Sequence, residues 1–129
     1  KQKPYFSAPS GGPLVQHSIL AMMEFVQQNK ISMPWLVEKM CHAPAKLFRV
    51  QERGFLREGY YADLVLVQPQ KPTKVAKDNL LYQCGWSPFE GHSFSASIAW
   101  VWVNGVPVLA DGKVNAQTPG KRVQFAKFD

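Results

Sequence analysis

Residues 93–114, SFSASIAWVWVNGVPVLADGKV, carry the clearest extended-chain signal in the sequence, and the rest of the chain is read from them. Apolar and polar or small residues alternate on both sides of Asn104-Gly105 and of Asp111-Gly112. A two-residue turn that preserves strand twist needs positive φ at both central positions, and Asn-Gly and Asp-Gly tolerate this best. The stretch therefore predicts two successive hairpins, a small antiparallel meander. Trp100 and Trp102 fall on one face of it because strand side chains alternate. Such a pair suits a stacking platform for bases or sugars, or a place in a sheet core; the core is the preferred reading.

Upstream, residues 62–67 (ADLVLV) form a β-branched run of strand length, ended by Pro69. Gly54 and Gly59 mark turns around Phe55 and Leu56, and residues 71–91 are less regular, with QCGWSPFEG their most unusual part. Further back the period becomes helical. Val15, Ile19, Met22 and Val26 recur at i, i+4, i+7 and i+11, widened by Leu20 and Met23. Ser32 caps a second helix with Pro34 in its first turn and Met33, Leu36, Val37 and Met40 on one stripe. Pro44 is expected to stop that helix near Ala43 and to open a short third helix over 44–48. Residues 1–13 (KQKPYFSAPSGGP) read as an ordered loop, and the tail after Thr118-Pro-Gly as weakly ordered apart from a terminal strand, VQFAKF.

With 129 residues, 46% hydrophobic and 19% charged, the chain can bury a core, yet it falls well short of the roughly 250 residues of a complete (β/α)8 barrel. No apolar run approaches the roughly 18 residues of a membrane span, and no secretory signal opens the chain. Because it begins at Lys1 and is short, the chain is expected to be part of a longer one. The net charge of +6 is spread along the sequence without a basic run, so no nucleic-acid partner is expected. Its two cysteines, Cys41 and Cys84, lack metal-site spacing and suit free thiols in a cytoplasmic protein.

The histidines, His17, His42 and His92, form no HxH, HExxH or i, i+4 pair, so no self-contained metal centre is expected. They read as partly exposed residues with local hydrogen bonds. Cys41 and His42 are adjacent on a helix and point apart, which leaves Cys41 as a small buried apolar residue. Asp63 reads as a turn or strand-edge hydrogen-bonding group. Gly11-Gly12, just ahead of a helix, is the one place where the backbone invites close approach of a small anion.

Four segments, taken in order, resemble the C-terminal part of dihydroorotase and its cyclic-amidohydrolase relatives. SAPSGGPLVQHSILAMM is similar to the substrate loop and following helix. MPWLVEKMCHAPAKLFRV is similar to the helix pair ending in Asn-Pro-Ala-Lys, RGFLREGYYADLVLVQP to the strand that follows it, and SPFEGHSFSASIAWVWVNGVPV to the Pro-Phe-x-Gly element and closing hairpin. Ala43 stands where the family usually has Asn, and Gln16-His17 where it usually has Glu-Thr.

The resemblance implies a mixed α and β fold: the C-terminal helices of a metal-dependent (β/α)8 barrel over residues 1–50, then part of a small β-sandwich with two hairpins over 51–129. It implies an intact enzyme that reversibly hydrolyses the ring amide of dihydroorotate in pyrimidine synthesis, with zinc polarising the carbonyl and activating water. The family's metal ligands would all lie before Lys1, so this segment is expected to bind no zinc, to contain no catalytic residue and to be inactive alone. Ser10 and Gly11 would make backbone contacts to the substrate, with Ala8 and Pro9 shaping the approach. No nucleic acid and no membrane partner is expected, and the isolated segment should form a homo-oligomer through uncovered apolar helix faces. The alternatives are another cyclic amidohydrolase (an allantoinase, or a dihydropyrimidinase/hydantoinase) and a stand-alone basic nucleic-acid-binding module built on Trp100 and Trp102.

Overall fold

The computed structural model describes residues 4–7, 11–115 and 120–127. A 3-10 turn at Val15–His17 leads into helix α1, Ser18–Gln27. The face of α1 that meets the rest of the chain is centred on Leu20 and Met23, 4% and 2% exposed, whereas Val15 is 86% exposed. The buried stripe is thus rotated from the one that periodicity picks out, because apolar residues surround much of this helix and the packing partner chooses among them.

Helix α2, Met33–Val37, starts where Ser32 Oγ accepts from the Trp35 N–H at 3.3 Å, with Pro34 in its first turn. The helix does not stop at Ala43. A π-helical turn, Glu38–His42, joins α2 directly to α3, Ala43–Leu47, and Ala43 keeps helical angles of φ −62° and ψ −44°. Within a regular α-helix the Pro44 ring would press on the carbonyl four residues back. The wide turn, in which the Ala43 N–H reaches the Glu38 carbonyl, loosens the spacing just upstream of that ring. Of the stripe predicted for this helix only Leu36 is buried; Met33 and Met40 are 41% and 38% exposed.

Strands β1 (Leu64–Gln68), β4 (Ser97–Val103), β5 (Val106–Ala110) and β6 (Lys113–Val114) form an antiparallel sheet in the order β1-β4-β5-β6. Strands β2 (Thr73–Lys74) and β3 (Ser93–Phe94) make a separate two-stranded ladder. Both predicted hairpins form. Asn104 and Gly105 have φ of 53° and 81°, Asp111 and Gly112 of 47° and 78°, the positive pairs that a two-residue turn demands.

Leu66 pairs with Trp100 but Val67 with Ile98, so Ala99 is an extra residue in β4. Facing pairs share a side and successive residues alternate, so the bulge sends Trp100 and Ile98 to opposite faces. Ile98 and Val67 pack against the core of Leu20, Met23, Val75, Phe94 and Ala96. Trp100 and Trp102 stack at 5.4 Å on the other face, half-buried beside Leu64 and Leu66, which are 37% and 50% exposed. Strand alternation places the two tryptophans together as predicted, but their face is not the core, which among the described residues gathers around Leu20, Met23 and Phe94 on the other side.

The turn before β1 is locked to the tip of the first hairpin. Arg53 pairs with Asp63 and donates to Asn104 Oδ1 at 2.6 Å, and the Asn104 N–H donates to Asp63 Oδ1 at 2.7 Å. Asp63 therefore has the turn role read from sequence. Gly54, at φ +77°, lies against α3. The predicted terminal strand reduces to one bridge, Val50 to Phe125, flanked by hydrogen bonds from Gln51 to Gln124 and from Ala126 to Arg49; Phe128 lies outside the described residues. Among the described residues no helix is long and apolar enough to cross a membrane.

Candidate functional site

Of the predicted substrate-loop residues, Ala8, Pro9 and Ser10 lie outside the described residues. Gly11 is exposed at φ +68°, a conformation that L side chains rarely adopt, and a Cβ there would meet open space. The chain then turns at Val15–His17 into α1 without a side-chain cap.

The other end of this loop is held firmly. Gln16 Nε2 donates to the Asn79 carbonyl at 2.8 Å, and the Leu81 N–H donates to Gln16 Oε1 at 2.9 Å. The Gln16 backbone N–H donates to the Tyr82 hydroxyl at 2.8 Å. One residue on, the His17 ring sits among Tyr82, Phe89 and Phe94, with centroids at 5.9, 6.0 and 6.0 Å. It is 2% exposed and its Nδ1 is buried without a hydrogen-bond partner. Burial lowers the His17 pKa, so the imidazole is held neutral. This corrects the expectation of a partly exposed, locally bonded histidine. The rings that bury it lie more than 60 residues away in the chain, beyond any local pattern.

The remaining polar groups serve structure. Glu24 accepts from the Ser95 N–H at 2.6 Å and from the Ser95 hydroxyl, joining α1 to the loop between β3 and β4. These bonds, with the attraction of His92, hold its carboxyl below the usual range. His42 meets Glu38 at 3.0 Å and stacks on Phe55 at 4.4 Å, while Lys46 meets Glu38 at 3.2 Å. Lys46 and then His42 lower the Glu38 pKa. Cys41 is exposed rather than buried, a second correction: the side of the helical rod that turns inward carries Leu36 and Ala45. Partial desolvation still pushes its thiol up. Both thiols are free. Among the described residues no group of three or more His, Cys, Asp or Glu side chains is placed to hold a metal ion. An open groove of about 500 Å³ between α3 and residue 126, lined in part by Lys46, Arg49, Phe55 and Tyr60, shares no residue with the Gly11 loop.

No protein-family model matches the chain. A dihydroorotase of Pyrococcus furiosus is 25% identical over 114 residues, covering 88% of this chain and 27% of its own. A dihydroorotase of Clostridioides difficile is 33% identical over 106 residues, 81% of this chain and 24% of its own. An allantoinase of Bacillus velezensis is 33% identical over 103 residues, 80% and 22% respectively. The solved structure of an L-hydantoinase (dihydropyrimidinase) from Arthrobacter aurescens superposes with a TM-score of 0.76 at 30% identity, over 86% of this chain and 25% of that one. The chain thus spans about a quarter of the length of the relatives it matches. Along most of its length the chain is similar to a segment of the cyclic amidohydrolases, and its mixed fold is that of the matching part of the L-hydantoinase structure. Within that superfamily it is similar to the C-terminal segment of dihydroorotase.

Proposed function

We propose that the chain is part of a dihydroorotase, an enzyme that opens the ring amide of dihydroorotate by hydrolysis and closes it in reverse. The observation that carries this reading is the match to dihydroorotases along 88% of the chain. In this proposal residues 1–50 belong to the barrel and 51–129 to the adjoining β-sandwich. Backbone groups of Ser10 and Gly11 meet the substrate and Ala8 and Pro9 shape its approach. The exposed glycine backbone at φ +68° supports that role at Gly11, since a neighbouring ligand can come close where no Cβ stands.

Zinc in the intact enzyme is part of the same proposal. The described residues offer no ligand set for it, so none of them is given a role in metal chemistry. A homo-oligomeric state of the isolated segment follows from its uncovered apolar residues, among them Leu47, Phe48 and Leu66.

A second reading, hydrolysis of a hydantoin or of allantoin, is favoured by the 30% identical hydantoinase structure and the 33% identical allantoinase. Turnover assays of the intact enzyme on dihydroorotate, allantoin, hydantoin and dihydrouracil separate the two. Ring opening of dihydroorotate in clear preference to the others is the expected result, and preference for any other ring overturns the assignment. The 129-residue chain assayed alone should give no turnover above a metal-free control.

A further inference from the structure

We propose that Asn104-Gly105 is a latent self-modification site, where the backbone can displace the asparagine's own amide nitrogen, and that Arg53 and Asp63 hold it closed in the folded chain. The proposal does not depend on which ring the intact enzyme opens.

The chemistry belongs to the dipeptide. Of the asparagines in the chain, Asn29, Asn79, Asn104 and Asn115, only Asn104 precedes a glycine. With no Cβ beside it, the Gly105 nitrogen is the least hindered backbone nucleophile an asparagine can meet. That nitrogen gives up its proton and bonds to Asn104 Cγ; the Cγ–Nδ2 bond breaks and ammonia leaves with the proton, closing a cyclic imide. Water then adds to either imide carbonyl, giving aspartate or, with the main chain rerouted through the side chain, isoaspartate. Water is the sole co-reactant.

Three observations describe the hold. The Gly105 N–H, whose proton must leave, donates to the Ala62 carbonyl at 3.0 Å. The side-chain amide, which must swing onto that nitrogen, is anchored by Arg53 at 2.6 Å. Arginine only donates, so the anchored atom is Oδ1. Arg53 is itself fixed: its side chain is 12% exposed, paired with Asp63 and lying 4.2 Å over the Tyr61 ring. Asp63 also accepts from the Asn104 N–H at 2.7 Å, which puts a carboxylate one peptide away from the nitrogen that would become an anion, and a like charge disfavours it. Arg53 pulls the other way on one count, since it polarises the carbonyl to be attacked. That assistance counts only once the nitrogen is free and the side chain has turned, and both steps break bonds that the folded tip makes.

The second hairpin supplies the comparison. Asp111 and Gly112 have nearly the same angles, φ 47° and 78° against 53° and 81°, yet no described residue hydrogen-bonds the Asp111 side chain or the Gly112 N–H. The turn forms there without such a hold, so the hold on Asn104 is not a requirement of the turn.

The test follows deamidation in the intact enzyme by peptide mapping, with mass spectrometry and isoaspartate detection as readouts. In Asp111→Asn the two tips carry the same dipeptide in one molecule and share its folding and buffer. Position 111 should convert about tenfold faster than Asn104, the factor that a hydrogen bond to a charged group is worth, and the two should come within about twofold of each other in urea. Asp63→Ala should speed conversion of Asn104 about tenfold. Glu24→Gln weakens the fold at the Ser95 contact instead and should leave that rate within about twofold, which separates release of the hold from loss of folded molecules. Asn104 converting as fast as position 111 in the folded protein, the difference between them persisting in urea, or Asp63→Ala converting no faster than Glu24→Gln each overturns the proposal.

Discussion

Replacing Gly54 by alanine should destabilise the chain more than any other glycine substitution in the described residues, and the structure gives the size of the effect. Gly54 lies at φ +77°, where a residue with a Cβ is strained by about 1–2 kcal/mol. An added Cβ would overlap Ala45 Cβ and stand 2.9 Å from the Cys41 carbonyl oxygen, both part of the helical rod that ends in α3. Forcing a methyl group into an occupied contact costs about 1–3 kcal/mol more. The narrower freedom of alanine in the unfolded chain returns about 0.4–1 kcal/mol. The net loss is about 1–4.5 kcal/mol. Gly59 supplies the control, since it has nearly the same angle, φ +81°, and a Cβ there meets open space. Gly59→Ala should therefore lose only the strain less the entropy gain, about 0–1.5 kcal/mol. Urea unfolding followed by tryptophan fluorescence measures both through their midpoints. If the two variants lose the same stability within about 0.5 kcal/mol, the contact with α3 carries no weight and the reasoning is wrong.

Two pH effects follow from the buried and bonded titratable groups. The His17 pKa is lowered in the folded chain, so the unfolded chain takes up that proton first; stability is complete above the ordinary imidazole value of about 6.5 and falls as pH drops below it. His17→Phe keeps a ring among Tyr82, Phe89 and Phe94, and denaturation midpoints between pH 5 and 7 should show a shallower decline than in the parent; an equal slope refutes the assignment. The Glu24 carboxyl is lowered chiefly by Ser95, so its contribution is present above the ordinary carboxylate value and lost as pH falls through the lower folded value. Glu24→Gln should cost about 1–2 kcal/mol at pH 7 and nothing near pH 2, with melts at both pH values as the check.

What could be read from the sequence was what its neighbours along the chain determine. The hairpins and the Ser32 cap depend on a few adjacent residues, and each forms; the hydrogen-bonding role of Asp63 was legible too, but its partners Arg53 and Asn104 were not. A substrate role for residues 8–11 was read only by resemblance, and of those residues only Gly11 lies among the described ones. The rest is decided at long range. Which stripe of α1 is buried depends on Val75 and Phe94, and the neutral, buried state of His17 on a ring cluster spread over residues 82–94. The same holds for Gln16, whose partners are more than 60 residues distant. Pro44 misleads for another reason. The rule that proline ends a helix assumes a regular α-helical spacing upstream, and the π-helical turn at Glu38–His42 relaxes that assumption.

The extra residue at Ala99 also governs how lengths may vary in this segment. One strand, β4, serves two layers: Ile98 turns towards α1, while Trp100 and Trp102 turn away from it. A single-residue deletion between them would act as a frameshift in side-chain direction, bringing an indole towards Leu20 and Met23 or sending Ile98 out to solvent. The second hairpin tip, Asp111-Gly112, carries no such phase and is not tied to Arg53 and Asp63 as the Asn104-Gly105 tip is, so evolution and protein engineers alike can lengthen this segment there far more freely than in the middle of its central strand.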